Sequence, residues 1–237
     1  MNNTLLTLLE SNPTANIAAL GFFANYPVED YYIIGNSALI FGRSDNLWAH
    51  IASTSEADIA RLLETQLTQY YFSVENWMIP LILKHGEIDW IVESNRYILD
   101  DSIPVNEPEI TCSVIDTVYA EVIYNNSDYK DYISVDYISD RLVKGVSAGI
   151  IVNNNLVAWG FTHDDGALGF LHVLPEYRKR GFAMAIMQKL IQMRRNNNEP
   201  NFGNVVPDNV ASIGLISKLG FRFDRKVSWI KLNPLMQ

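Results

Sequence analysis

Cysteine is almost missing from this chain. Cys112 is the only one in 237 residues, so no intrachain disulfide and no cysteine-based metal site can form, and a reducing, cytoplasmic compartment is the expectation. No run of about eighteen apolar residues occurs, which excludes a membrane-spanning helix and leaves no membrane partner expected. The N-terminus lacks positive charge: Arg43 is the first basic side chain and Glu10 interrupts the apolar stretch, so Met1–Pro13 does not read as a secretory leader. No Gly-Lys pair is present, so there is no nucleotide P-loop. Neither H-E-x-x-H nor a Cys/His spacing supports a metal site, and none is expected. A net charge of −9 argues against nucleic acid as a partner.

What is present is apolar material for a core, 48% hydrophobic against 19% charged residues. The charge is divided unevenly. Met1–Asp165 carries 7 basic and 23 acidic residues, net −16, whereas Gly166–Gln237 carries 11 and 4, net +7. An acidic chain with one basic third suits a small polyanion held in that third; a basic face that only aids solubility is the alternative.

Residues 1–105 read as a smaller α/β domain, with helices at Thr4–Glu10 and Asn16–Phe23, strands at Tyr31–Phe41 and Leu47–Ser53, and a Ser-capped helix over Ser55–Tyr71. Phe72–Leu99 reads as helix–turn–helix or helix–strand around Pro80. Asp100–Pro108 reads as a linker, with two prolines and three acids in nine residues. Within residues 106–237 a strand is expected at Glu109–Ile115, then helix over Asp116–Leu142. Strands follow at Ser147–Val152, Leu156–Thr162 and Leu168–Val173, joined by turns at Asn153-Asn154-Asn155 and His163-Asp164-Asp165-Gly166. A helix from Arg180 to about Arg195, a strand at Asn201–Val206, a helix at Asn209–Leu219 closed by Gly220 and a strand at Phe223–Leu232 complete an α+β order.

Gly145-Val146-Ser147-Ala148-Gly149 matches the G-x-S-x-G nucleophile elbow, which requires a strand before the serine and a helix after it. Here the order is reversed, so a hydrolase with His172 as a triad member is disfavoured. A second segment carries more. Leu171–Ala183 runs from a strand end through Pro175-Glu176-Tyr177-Arg178-Lys179-Arg180 into a helix opened by Gly181 and Ala183. Unpaired N–H groups of a helix's first turn, small residues that let a phosphate approach them, and three adjacent cations together suit a diphosphate.

The arrangement Arg178-x-x-Gly181-x-Ala183, placed after a meander strand and followed by α-β-α-β with Asn209-x-x-Ser212 and Leu219-Gly220-Phe221, resembles the GNAT superfamily of N-acetyltransferases. The resemblance covers roughly Glu109–Leu232, and Leu174-Pro-Glu-Tyr-Arg178 is most similar to the glycine N-acyltransferase-like branch. It implies a mixed central sheet, an antiparallel meander followed by strand–helix–strand with splayed parallel strands. It also implies an N-terminal half that is itself a degenerate GNAT-like unit. Acetyl-CoA or another short acyl-CoA is the implied co-substrate, and a small-molecule amine or amino acid the implied acceptor, in a monomer or homodimer. The pantetheine arm would lie along Leu171–Val173, with the Val173 backbone N–H polarising the thioester carbonyl. Arg178, Lys179, Arg180, Gly181, Phe182, Ala183 and Met184 would hold the pyrophosphate, and Asn209 and Ser212 would flank the arm. Two positions depart from the family pattern: Ala167 stands where a general-base Glu is common and Ile216 where a Tyr protonates the thiolate. His172, Asp164, Asp165 and His163 are the nearest replacement bases in sequence. His172 alone lies in the critical strand, where a bulge would be needed to bring it to the face of Ala167, and a packed core histidine is its other reading. A non-catalytic CoA-binding sensor or interaction module is the competing reading. The tyrosines and acids of Asp116–Asp140 could receive a cationic amine; ordinary burial of the rings with solvated acids is favoured.

Overall fold

The computed structural model describes residues 1–66 and 68–234, in two compact units. The first comprises Met1–Arg96, Val206–Asp208 and Asp224–Gln237, and the second Tyr97–Val205 and Asn209–Phe223. The division falls at Arg96, nine residues before the expected boundary at 105, and the last strand of the chain returns to the first unit.

In the first unit, helices α1 (Asn3–Glu10) and α2 (Ile17–Asn25) precede the strands β1 (Val28–Ile34), β2 (Ser37–Arg43) and β3 (Leu47–Ala52). Helix α3 (Glu56–Leu63), strand β4 (Tyr70–Glu75), the single turn α4 (Ile79–Ile82) and strand β5 (Gly86–Leu99) follow. β1, β2 and β3 form an antiparallel meander, and β4 joins β3 in parallel. The expected single strand at Tyr31–Phe41 is a hairpin, because Gly35 takes a left-handed φ of +57° and reverses the chain. Ser55 caps α3 as expected, its side chain accepting from the Asp58 N–H at 3.2 Å. α3 stops at Leu63, well short of Tyr71.

In the second unit, α5 (Ala120–Asn125) and α6 (Val135–Lys144) lead into β6 (Ser147–Val152), β7 (Asn155–Thr162) and β8 (Leu168–Val173). Then come α7 (Phe182–Asn196), β9 (Asn201–Val205) and α8 (Val210–Lys218); the last strand, β10 (Arg222–Pro234), belongs to the first unit from Asp224 on and pairs there antiparallel with β4. The three strands expected between residues 147 and 173 stand where they were read, and Asn153 and Asn154 both take positive φ in the turn joining the first two. Two expectations fail. Glu109–Ile115 is not a strand: only Ser113 bridges, exchanging both hydrogen bonds with Gly149. Asp116–Leu142 is two short helices, because Ser134 caps a new start, its hydroxyl accepting from the Tyr137 N–H at 3.0 Å.

The β6–β7–β8 sheet is covered on both faces. Ile123, Ile138 and Leu142 pack with Trp159 and Phe161 on one, while Ile186, Leu190 and Ile191 pack with Ile150 and Ala158 on the other. The neighbour of β8 is β9, since a Cβ on Gly203 would lie 3.0 Å from the Leu168 carbonyl oxygen. β9 nevertheless stands outside the β6–β7–β8 ladder. The edge of β8 toward β9 is therefore splayed rather than paired. The order α-α-β-β-β-α-β-α-β occurs twice along the chain, once from α1 to β5 and once from α5 to β10.

Candidate functional site: the groove between two helix starts

β8 ends in a way that follows from its register. His172 lies opposite Trp159 and Val173 opposite Ala158, and the Leu174 N–H donates to the Val157 carbonyl at 3.0 Å. Hydrogen-bonded and non-hydrogen-bonded pairs alternate in an antiparallel ladder, so the Val173 N–H and C=O point away from β7, toward the splay. The carbonyl is taken: Arg178 Nε donates to it at 3.0 Å, bracing the Pro175–Tyr177 turn against the strand end.

The chain then enters α7 with left-handed backbone at Lys179 (φ +60°) and Gly181 (φ +81°), an alternation that builds anion nests. Gly181 is the N-cap and supplies no capping side chain. The Ala185 N–H donates to the Gly181 carbonyl at 3.0 Å, so the N–H groups of Phe182, Ala183 and Met184 have no intrahelical partner. Their partial positive charge faces a groove of about 420 Å³ lined by Val173, Tyr177–Lys179, Gly181–Met184 and the α8 residues Val210, Ala211, Gly214, Leu215 and Lys218. No carboxylate lines it, and Arg178, Lys179 and Lys218 do. A Cβ built on Gly214 meets nothing within 4 Å, so the α8 wall is open at that point.

Of the residues read from sequence, Val173, Arg178, Lys179, Gly181, Phe182, Ala183 and Met184 come together here. Four do not. Arg180 is turned aside, donating to the Glu176 carbonyl at 3.0 Å and lying over the Tyr177 ring. Leu171 packs into the core beneath α7, near Gly160 and Ile186. Asn209 caps α8, its side chain accepting from the Ser212 N–H at 3.0 Å, and neither residue lines the groove. The groove's second wall was missed. Positions 210, 211, 214, 215 and 218 share one helical face, a pattern the 3.6-residue period contains, whereas the resemblance points to Asn209 and Ser212 at the helix start as the residues flanking the arm.

Ala167 and Ile216 are both buried, at 0% and 7% exposure, so neither position offers a polar group to the groove. His172 stacks on Trp159 with centroids 4.7 Å apart. Burial foremost, and then Arg178, lower its pKa below the ordinary 6.5, with Asp128 opposing. The ring is therefore neutral at pH 7. Between His172 and Gly169 the register with β7 slips, two residues of β8 (Phe170 and Leu171) facing the single Gly160. This is a β-bulge, with Phe170 in the left-handed region at φ +49°. A bulky residue there costs on the order of 1–3 kcal/mol, offset by the stacking of Phe170 on Phe161 at 4.2 Å and its contact with His163 at 4.3 Å.

The reversed element order that disfavours a nucleophile elbow at Ser147 is what the structure shows. Ser147 opens strand β6, is 1% exposed, and its hydroxyl accepts from the Ile115 N–H at 3.1 Å. Ser147→Ala should leave that buried donor unpaired and lower stability by about 1–3 kcal/mol in urea titrations. A fluorophosphonate probe should not label the wild-type serine. Among the described residues no group of three or more His, Cys, Asp or Glu side chains could hold a metal ion, and no helix is long and apolar enough to cross a membrane.

Residues 144–230 match the family model of the FR47-like proteins. Among solved structures, a Drosophila protein superposes with a TM-score of 0.82 at 18% identity, over 99% of this chain and 96% of its own. A GCN5-related N-acetyltransferase from Kribbella flavida gives 0.57 at 14% identity, over 92% and 95%. A tandem GNAT protein from the clavulanic acid biosynthesis pathway gives 0.53 at 12% identity, over 94% and 90%. At these identities the likeness is one of fold: this chain has the GNAT fold, an α+β architecture with a mixed sheet.

Proposed function

We propose that this chain is an acyl-CoA-dependent N-acyltransferase of the GNAT superfamily, taking acetyl-CoA or another short acyl-CoA and acylating the primary amine of a small molecule or amino acid. The observation that carries the reading is the groove opening on the uncapped start of α7. It offers unpaired N–H groups, an adjacent left-handed turn and three cations, with no acid among its lining residues. That donor set fits a pyrophosphate. The apolar stretch along Val173, Phe182, Val210 and Leu215 fits a pantetheine arm. The Val173 N–H, turned away from β7, would hold the thioester oxygen as negative charge develops on it. The acceptor amine would attack the carbonyl carbon within one ternary complex, so that proximity supplies much of the acceleration.

The N-terminal half reads as a degenerate second GNAT-like unit, and its helix α3 explains why the coenzyme belongs to the other half. The first turn of α3 is capped by Ser55 and carries Glu56 and Asp58, which would repel a phosphate where α7 invites one. The Leu174–Arg178 segment favours the glycine N-acyltransferase-like branch. The chain would act in the cytoplasm as a monomer or homodimer.

The buried Ala167 and Ile216 favour a second reading, a non-catalytic CoA-binding module. Thiol release from acetyl-CoA with glycine, lysine, spermidine and phenethylamine, alongside calorimetric CoA binding, separates the two. Turnover with any of these supports the transferase. Binding with no turnover on all four favours the module, and absence of binding removes both.

A further inference from the structure

The bulge in β8 changes which side chains share a face. Opposed residues in an antiparallel ladder point to the same side, so His172 shares the face of Trp159, and Gly169 that of Phe161. Trp159 and Phe161 are two apart on β7 and point the same way. Ala167, two residues before Gly169 and with its carbonyl accepting from the His163 N–H at 2.9 Å, falls on this face too. In a regular strand His172 would point to the opposite side. The inserted residue at Phe170–Leu171 turns it to the face covered by α5 and α6. There it sits next in sequence to Val173, whose N–H opens on the splay.

Resting on the transferase reading, we propose that His172 is the general base of the reaction, its imidazole brought by the Phe170 bulge to the face on which Ala167 leaves no carboxylate. The amine nitrogen forms its bond to the thioester carbon, and the carbonyl π pair moves to the oxygen held by Val173. One N–H proton passes to the unprotonated imidazole nitrogen. Collapse breaks the C–S bond with its electron pair on sulfur. The imidazolium returns its proton to solvent, and the thiolate takes one from water, a tolerable departure for a thiol with a pKa near 8.5. Net, an amine and an acyl thioester become an amide and a free thiol.

The charges facing His172 set its range. Trp159 on β7 contributes a neutral stacked ring. Arg178, following β8, disfavours the imidazolium, and Asp128, between α5 and α6, favours it. His163, further along the same face through Phe170, has its pKa lowered to about 4 by burial and Arg141 and stays neutral.

The test uses acetyl-CoA and whichever of the four amines turns over fastest. His172→Gln, which retains a planar side chain against Trp159, should lower kcat by 10²- to 10⁴-fold with CoA affinity unchanged. The wild-type log(kcat/KM) should steepen below a bend under pH 6.5, while the variant follows only the amine's own ionisation without that bend. Asp128→Asn should move the bend to lower pH. A working wild type beside a His172→Gln protein with kcat within twofold, or with the same bend, overturns the base alone. A wild type that releases no thiol with any of the four amines overturns the transferase reading and the base with it.

Discussion

Calorimetry of a Gly214→Trp variant should show CoA affinity reduced by at least about 100-fold, with thermal stability unchanged or slightly raised. Gly214 lies within α8 at a helical φ, and nothing stands within 4 Å of a Cβ placed there. A Cβ therefore meets no steric penalty there, and the rest of the side chain projects into the groove that α8 shares with the start of α7. In a helix interior glycine is the least favourable residue after proline, by roughly 0.8–1 kcal/mol against alanine, and tryptophan recovers part of that. Binding and folding are thus pushed in opposite directions, which makes the result readable. Gly181→Glu attacks the same groove from its other wall and should also weaken binding, by bulk and by negative charge against the pyrophosphate. Its outcome is less clean. Gly181 sits at φ +81°, so any side chain costs roughly 1–2 kcal/mol of backbone strain, even though the nearest atom, Ile110 Cδ1, is an ordinary 3.6 Å away. Unchanged CoA affinity in a folded Gly214→Trp protein would mean that the groove is not the coenzyme site.

The parts of the second unit that were legible are those whose signals are local. Asn153-Asn154 and Asp164-Asp165-Gly166 punctuate the meander, and Pro175 closes β8, so all three strands could be placed without knowing their partners. The cradle at Arg178–Ala183 was legible for the same reason, being a strand end, a turn and a helix start contiguous in sequence. The α8 wall was not, because which face of α8 meets α7 is decided by packing. The bulge was hidden more deeply. Phe170 is among the residues least suited to φ +49°, and ring contacts with Phe161 and His163, on the neighbouring strand and its turn, hold it there. In the first unit, apolar residues run through Tyr31–Ile34 and Ala38–Phe41 and concealed the two-residue turn between them. β5 is legible only as the strand of the helix–strand alternative for Phe72–Leu99, because its fourteen residues mix Glu87, Asp89, Glu93 and Arg96 with aromatics and show no clean alternation of burial.

Acid should destabilise the protein through His50. His50 lies on β3, 2% exposed, its ring stacked on Phe72 at 4.7 Å and 4.5 Å from the ring of Phe22 on α2. Its Nε2 has no hydrogen-bond partner among the described residues. Burial lowers its pKa from 6.5 to about 3. A histidine with a depressed folded-state pKa costs nothing above pH 6.5, where it is neutral in both states. Below that, the unfolded chain binds a proton the folded one refuses, and stability falls by about 1.4 kcal/mol per pH unit until the folded pKa is reached. Between pH 6.5 and pH 4.5 His50 alone should remove roughly 2–3 kcal/mol, a large share of an ordinary domain's stability. His163, with its pKa lowered to about 4, adds to the same limb in the second unit. His50→Phe keeps an aromatic ring among Phe22, Phe23 and Phe72 and removes the titration. In urea titrations at pH 7, 6 and 5 the variant should gain on the wild type by about 1.4 kcal/mol per unit below pH 6.5. Parallel losses in the two proteins would mean that the ring at position 50 is reached by water and protonates within the fold, so that acid sensitivity arises elsewhere.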